Sequence, residues 1–386
     1  MVTVLYLSYD GALDPLGQSQ VVPYVTGLAS LGFRMCLVSF EKPESLRDSR
    51  RVGDLKESLR DVGVEWSPLR YHRRWSLAST GYDVAQGTRA GLANHRKSPV
   101  RLIHARSYVA GLIAGVIASR TAAPWIFDMC GFWVDERIEA GLWAKDSFVV
   151  RLARAAERSL LARADALVHL MHQGASLAHE LAPGVELPPA SVIPTCVDLK
   201  RFVPASDRDD IRGRLGIGRG PVLIHIGSLS TWYLAELTLL VGAEFVRRTG
   251  GTFVVLTHEL DFVRDLSDRL AVQPVLESVD YGRVPEWVAM ADAGLALVRP
   301  DYAKRASAPT KVGEYLACGL TVAATAGVED LDDQFRGSGV AVTVAPSDGA
   351  VRIVDRVLET LAESHYDLRS GLRELMALYG SFGVEA

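Results

Sequence analysis

A chain of 386 residues, 48% hydrophobic and 23% charged, has the balance of a folded globular protein and is too long for one ordinary core, so two domains are expected. Its formal net charge of -4 is uneven: residues 1–190 carry 22 Lys and Arg against 19 Asp and Glu, and the remainder 20 against 27. A mildly acidic chain without a recognised nucleic-acid motif argues against DNA or RNA as a partner, while the basic bias of the first half suits an anionic acceptor, an anionic membrane face, or ordinary surface variation.

Short apolar runs alternate with helical stretches along the chain. Val2 to Leu7 reads as a buried strand, followed by a loop rich in Gly, Asp and Pro. A helix is expected from Ser19 to Leu31, closed by Gly32, and a second strand from Arg34 to Phe40. Further strands are expected at Val100–Ala105, Trp125–Met129 and Ala166–Leu170. Near-continuous apolar strands separated by helices imply parallel pairing with both sheet faces covered, a doubly wound α/β domain. The Pro- and Gly-rich stretch 182–189 reads as a linker, followed by the strand-like Ser191–Ile193. The pattern restarts at Pro221–Ser228, with later strands at Thr252–Leu256, Pro274–Glu277, Ala293–Val298, Leu320–Ala324 and Val340–Val344. Near the C-terminus, Leu368, Leu372, Leu375, Met376 and Tyr379 fall at helical spacing. The expected organisation is an N-terminal Rossmann-like domain over 1–190, a second over 191–365 and a terminal helix over 366–386. Tandem α/β units of this kind bind ligands at the carboxyl ends of their strands, in the cleft between them.

The four cysteines, Cys36, Cys130, Cys196 and Cys318, are widely spaced and form no C-x-x-C pair, so neither a disulfide framework nor a zinc site is expected. No charged leader precedes the first strand and no apolar run reaches bilayer length. A cytoplasmic chain is expected, with peripheral contact at the inner membrane face left open.

The segment from Pro309 to Gly319 carries the most information. Thr310 reads as an N-cap and Gly319 as a left-handed stop. A helix beginning there presents unpaired N–H groups and the positive end of its dipole, an anion site for which diphosphate is the natural occupant in a Rossmann-like half. Lys311 adds a positive charge, and Glu314, one turn further on, is placed to accept hydrogen bonds from two ribose hydroxyls. Taken alone, the segment is also a plain capped helix.

This segment resembles the donor site of the family 4 glycosyltransferases, retaining enzymes of GT-B fold with a Glu-x7-Glu motif at the start of the corresponding helix. The resemblance implies that Glu314 is the second Glu and binds the ribose, and that the amides of Thr310, Lys311 and Val312 face the diphosphate. Ser8–Gly11 with Asp14–Gln20 resembles the family's first glycine loop, which places Gly17 and Gln18 towards the donor phosphates. Gly227 and Ser228, where a strand enters a Gly-Ser turn, are expected on the donor side as well. Asp165–Val168, Val192–Phe202 and Val284–Leu295 resemble the passage into the second domain and the stretch preceding the donor helix. The implied fold is GT-B: two Rossmann-like doubly wound domains facing a central cleft, with the last helix crossing back to the N-terminal domain as a hinge brace. The implied chemistry is retaining transfer from a nucleotide-diphosphate sugar co-substrate to a hydroxyl acceptor, with no metal or other cofactor and the leaving phosphate as base.

Three positions depart from the family pattern. Ala306 stands where the first motif Glu belongs, the loop Gly227–Tyr233 lacks the usual Arg and Lys, and Cys130 replaces a basic residue. Charge on a departing diphosphate must still be met in a dry site. Lys311, Lys304, Arg305 and, less directly, Arg299 are the candidate cations, a solvated loop being the competing reading for Lys304 and Arg305. At strand ends, Arg106 is a candidate for holding an anionic acceptor group or a phosphate, and Asp128 for an acceptor hydroxyl, against the simpler reading that each ties down its own loop. The catalytic set is therefore Lys311, Asp128 and Arg106. His104 is expected to pack in a wall, Asp135 and Glu136 to be solvated or paired with Arg137, and Arg70–Trp75 to be a strand end and exposed loop or a lipid-headgroup or glycan contact. Two rival readings stand beside transfer: a catalytically degenerate GT-B nucleotide binder, and a sugar-nucleotide 2-epimerase, for which no acid–base set is evident. The sequence names neither the base, the sugar, the acceptor nor the oligomeric state.

Overall fold

A computed structural model of the chain describes residues 2–72, 77–306, 308–327, 329–336 and 338–364. The expected terminal helix over 366–386, and Arg73, Arg74 and Trp75, lie outside the described residues. The chain forms two compact units, one ending at Ile193 and the other beginning at Pro194.

The first unit is built on a parallel sheet in the order β3-β2-β1-β4-β5-β6-β7, with β1 Thr3–Ser8, β2 Arg34–Glu41, β3 Val64–Arg70, β4 Leu102–Arg106, β5 Trp125–Met129, β6 Ala166–His169 and β7 Ala190–Val192. Strand β1 is buried along its whole length, as a strand covered on both faces must be. Strand β3, which apolar runs alone do not predict, holds Pro68 opposite Ser39 at the sheet edge, where a missing N–H is tolerated. The expected helix Ser19–Leu31 is two helices, Pro15–Gln20 and Val22–Ser30, broken at Val21 and each opened by a proline in its first turn. Pro15 and Pro23 fit only near a helix start, which explains both the earlier beginning and the break.

The second unit repeats the plan in the order β10-β9-β8-β11-β12-β13, with β8 Val222–Ile226, β9 Thr252–Leu256, β10 Val275–Glu277, β11 Ala293–Ala296, β12 Thr321–Thr325 and β13 Ala341–Val344. Its core packs Leu239, Phe245, Phe253, Leu295, Ile353 and Val357 between sheet and helices. Each sheet reverses its order of connection at its first strand, between β1 and β4 and between β8 and β11, the position where α/β sheets open for ligands.

At the second of these points the ladder stops early. Strands β8 and β11 pair only at Leu223–Ala293 and Ile224–Gly294. Beyond them the Tyr315 hydroxyl bridges the gap, accepting from the Ile226 amide at 3.0 Å and donating to the Leu295 carbonyl at 3.3 Å. Tyr315 belongs to the helix Thr310–Ala317, so the splayed strands hold that helix directly. Its ring needs the space left by Gly294, where a Cβ would stand 2.4 Å from it. Gly294→Ala is therefore expected to push the helix off the sheet and cost about 1–3 kcal/mol. Calorimetry would read this as a lowered Tm, and an unchanged Tm would show that the ring is not wedged there.

Candidate functional site

The helix Thr310–Ala317 has Pro309, with φ -67° and ψ 112°, as its N-cap residue, and no side chain caps it. Thr310 is thus the first helical residue rather than the cap, because Pro309 already supplies the extended geometry an N-cap requires. The Val312 amide donates to the Pro309 carbonyl at 3.0 Å. Among the described residues, the amides of Thr310 and Lys311 have no protein acceptor, which leaves them as the open donors of this terminus. Gly319, at φ 71°, ends the helix in the left-handed conformation its sequence suggests.

Lys311 is buried, 5% exposed. Its Nζ lies 3.9 Å from the centre of the Tyr233 ring and 3.3 Å from His225 Nε2, and no carboxylate of the described residues forms an ion pair with it. Burial pushes the amine down to about 7, against the pull of Glu314 and Glu259. His225 is driven well below its ordinary range by burial and by Lys311, so it is a neutral imidazole. Glu314 is also buried and accepts a 2.9 Å hydrogen bond from the Tyr281 hydroxyl. Burial pushes its carboxyl up to about 7, although Tyr281, Lys311 and Arg201 act the other way. The Arg201 guanidinium lies 4.9 Å from the Tyr281 ring centre and braces it. One helix therefore presents an under-charged amine, open amides and a buried carboxyl, a set that suits a ligand bearing an anion and hydroxyl donors.

Tyr281, Tyr233 and His225 escape the sequence reading. His225 carries one visible signal, an ionisable side chain inside the fully buried strand Val222–Ile226.

Gly227, at φ 90°, turns the chain after β8, and Ser228 follows it at the surface. Here a fourth unexpected residue, Glu259, takes charge of the loop. The Glu259 carboxylate accepts from the Ser228 hydroxyl at 2.8 Å, the Leu229 amide at 2.8 Å, the Ser230 amide at 3.0 Å and the Ser230 hydroxyl. Burial raises its carboxyl, but these donors more than offset that and hold it below its ordinary value. The loop without Arg and Lys thus has its amides engaged by an internal anion. Lys304 Nζ lies 4.4 Å from the Trp232 ring centre, and Arg299 pairs with Asp301 at 3.0 Å. The side chains of Arg305 and Ala306 lie outside the described residues.

In the first unit the loop after β1 closes on a buried carboxylate as well. Glu41 accepts from the amides of Ala12 at 2.8 Å and Leu13 at 3.0 Å and from the Ser39 hydroxyl at 2.5 Å. Gly17 packs so tightly that a Cβ would stand 1.9 Å from the Gly11 carbonyl oxygen, and the Gln18 side-chain amide donates to the Ala12 carbonyl. Arg106 and Asp128, at the ends of β4 and β5, are buried and joined by a 3.1 Å bond. Asp10 lies 3.8 Å from Arg106 Nε, an atom without a hydrogen-bond partner. Burial alone would raise the Asp128 carboxyl, yet Arg106 and His104 bring it below its ordinary value. His104 stacks on Tyr6 with ring centres 4.5 Å apart and approaches Asp128 at 3.4 Å. Cys130 Sγ lies 3.6 Å from the same carboxylate. Asp135 pairs with Arg154 rather than with Arg137, whose guanidinium sits 5.3 Å from the Trp133 ring centre.

Residues 18–196 match the sequence profile of the glycosyl transferase 4-like domain. The first unit carries a glycosyl transferase 4-like domain. Solved structures agree over the whole chain in fold: a sucrose-phosphate synthase from Thermosynechococcus elongatus (TM-score 0.72, 16% identity, 99% of this chain and 96% of that one) and the HepE protein of Anabaena in complex with UDP-glucose (0.67, 12%, 99% and 98%). An α,α-trehalose 6-phosphate synthase from Burkholderia multivorans is similar at a TM-score of 0.62 with 13% identity, over 99% and 96% of the two chains. No curated protein sequence matches significantly. The family match and the pair of parallel sheets agree on a glycosyltransferase of GT-B fold.

Lys311 and Glu314 set a pH signature. Glu314, raised from 4.5 to about 7, contributes less stability as pH rises through that window. The burden of Lys311, lowered from 10.5 to about 7, is full below that window and fades as pH rises towards 10.5. Together they place a stability minimum near neutrality. Lys311→Met is expected to raise stability at neutral pH by on the order of 2 kcal/mol and to flatten the alkaline limb. Denaturant titration across pH checks this; a destabilised Met variant would mean that Lys311 has a stabilising partner.

Proposed function

We propose that the chain transfers a sugar, with retention of configuration, from a nucleotide-diphosphate sugar held by the second unit to a hydroxyl acceptor served by the first. The observation that carries the reading is the placement of Lys311, open first-turn amides and Glu314 on one buried helix. The diphosphate would meet the amides and the Lys311 amine, which takes up its charge as the anion arrives. Glu314 would accept from the ribose hydroxyls beside Tyr281. Gly227 brings bare backbone to the same place, a Cβ there standing 3.7 Å from Lys311 Nζ. In the absence of loop cations, Lys311 and the helix terminus would stabilise the leaving diphosphate. On the acceptor side, Asp128 would accept from a hydroxyl, with Arg106 and His104 keeping it ionised. The UDP-glucose complex of the HepE protein makes UDP-glucose the first donor to try. Peripheral membrane attachment belongs to the same proposal.

Glu259 favours a second reading, nucleotide binding without turnover, because its carboxylate stands on the loop where the leaving-group cations are missing. Titration calorimetry with UDP-, GDP-, ADP- and TDP-glucose tests the donor site. At least one is expected to bind, and Glu314→Ala to weaken it roughly 10–100-fold. Binding by none, or binding indifferent to Glu314, sinks the donor reading. Nucleotide release on adding hydroxyl acceptors separates transfer from binding alone.

A further inference from the structure

The helix Phe148–Arg163 of the first unit has one face fixed inward and one face bare. Inward, Arg154 bonds Glu157 at 2.7 Å and pairs with Asp135, and the Tyr108 hydroxyl donates to Glu157 at 2.6 Å. Val150, Leu160 and Leu161 are buried on the same side. Outward, Phe148 is 66% and Leu152 43% exposed. Ala155, Ser159 and Ala162 follow, all exposed, at the spacing of a single helical stripe. Leu142, 60% exposed, lies in the turn just before.

Cations border this stripe. Lys145, Arg151, Arg158 and Arg163 are exposed, and none forms an ion pair with a described residue. Between Leu142 and Arg163 the only exposed acid is Asp146, since Glu157 is turned inward.

We propose that this face docks on an anionic lipid bilayer, with Leu142, Phe148 and Leu152 entering the headgroup boundary and the four cations meeting lipid phosphates. Four exposed cations against one exposed acid give the stretch a net positive charge that matches an anionic surface. The stripe thins to Ala and Ser beyond Leu152, too little apolar area for a protein interface core but enough for shallow interfacial insertion. Long arginine side chains can lie along the apolar strip and keep their guanidiniums at headgroup level. No described helix is long and apolar enough to cross a membrane, so attachment by this face would be peripheral. The inference does not depend on the donor-site reading.

Co-sedimentation of the full chain with vesicles tests it, using phosphatidylcholine alone and phosphatidylcholine mixed with phosphatidylglycerol in roughly equal parts. Binding is expected only to the anionic vesicles, and to vanish at about 1 M salt, where screening shortens to about 3 Å. Each of Arg151→Gln and Arg158→Gln should weaken it about fivefold, and Phe148→Ser about tenfold, with Tm unchanged in all three because these side chains are exposed. Absent or equal binding to the two vesicle types overturns the proposal, as does binding that ignores all three substitutions. Gel filtration that shows a dimer abolished by Phe148→Ser would reassign the face to a second copy of the chain.

Discussion

The second unit depends on a gap in its own sheet. Strands β8 and β11 pair for two residues and then part, which leaves an amide and a carbonyl of a buried ladder without each other. Buried backbone groups must find partners, and here the Tyr315 hydroxyl serves both. Because that hydroxyl belongs to the helix Thr310–Ala317, the same two bonds fix where the helix begins and which residues of its first turns face inward. The placement of Lys311 and Glu314 follows from how the sheet opens.

Both residues are placed against neutral partners, an imidazole and a phenol, rather than against opposite charges. A buried pair bonded directly to each other would be satisfied and inert. Held apart, each keeps an unmet electrostatic demand that a ligand with a phosphate at one end and hydroxyls at the other would answer. Arg106 and Asp128 in the first unit illustrate the opposite arrangement: they are bonded to each other, and what they offer a ligand is an orientation already fixed.

How much of this can be read in the sequence follows from which forces are local. Buried parallel strands are long apolar runs, so Trp125–Met129 and Thr252–Leu256 are legible to the residue. Strand β3 is not, because its edge position admits Pro68 and a half-polar pattern. The helix at Thr310 announces itself through the proline before it and the glycine after it. Its partners do not: Tyr281 is 33 residues from Glu314, and His225 is 86 from Lys311. Glu259 is equally hidden, since nothing near it in the chain foretells that its carboxylate will cap a loop some 30 residues upstream. Side-chain pairings across the fold leave no periodic trace.

Glu259 and Glu41 are the same device used twice. Each is a carboxylate set at or just beyond the carboxyl end of the strand beside the first strand of its unit, and each gathers the successive amides of the loop that follows that first strand. A loop tethered in this way has few conformations left to lose. The ordering entropy that a flexible glycine-rich loop would surrender on meeting a ligand is settled when the chain folds, so recognition by either loop starts from a shape already made.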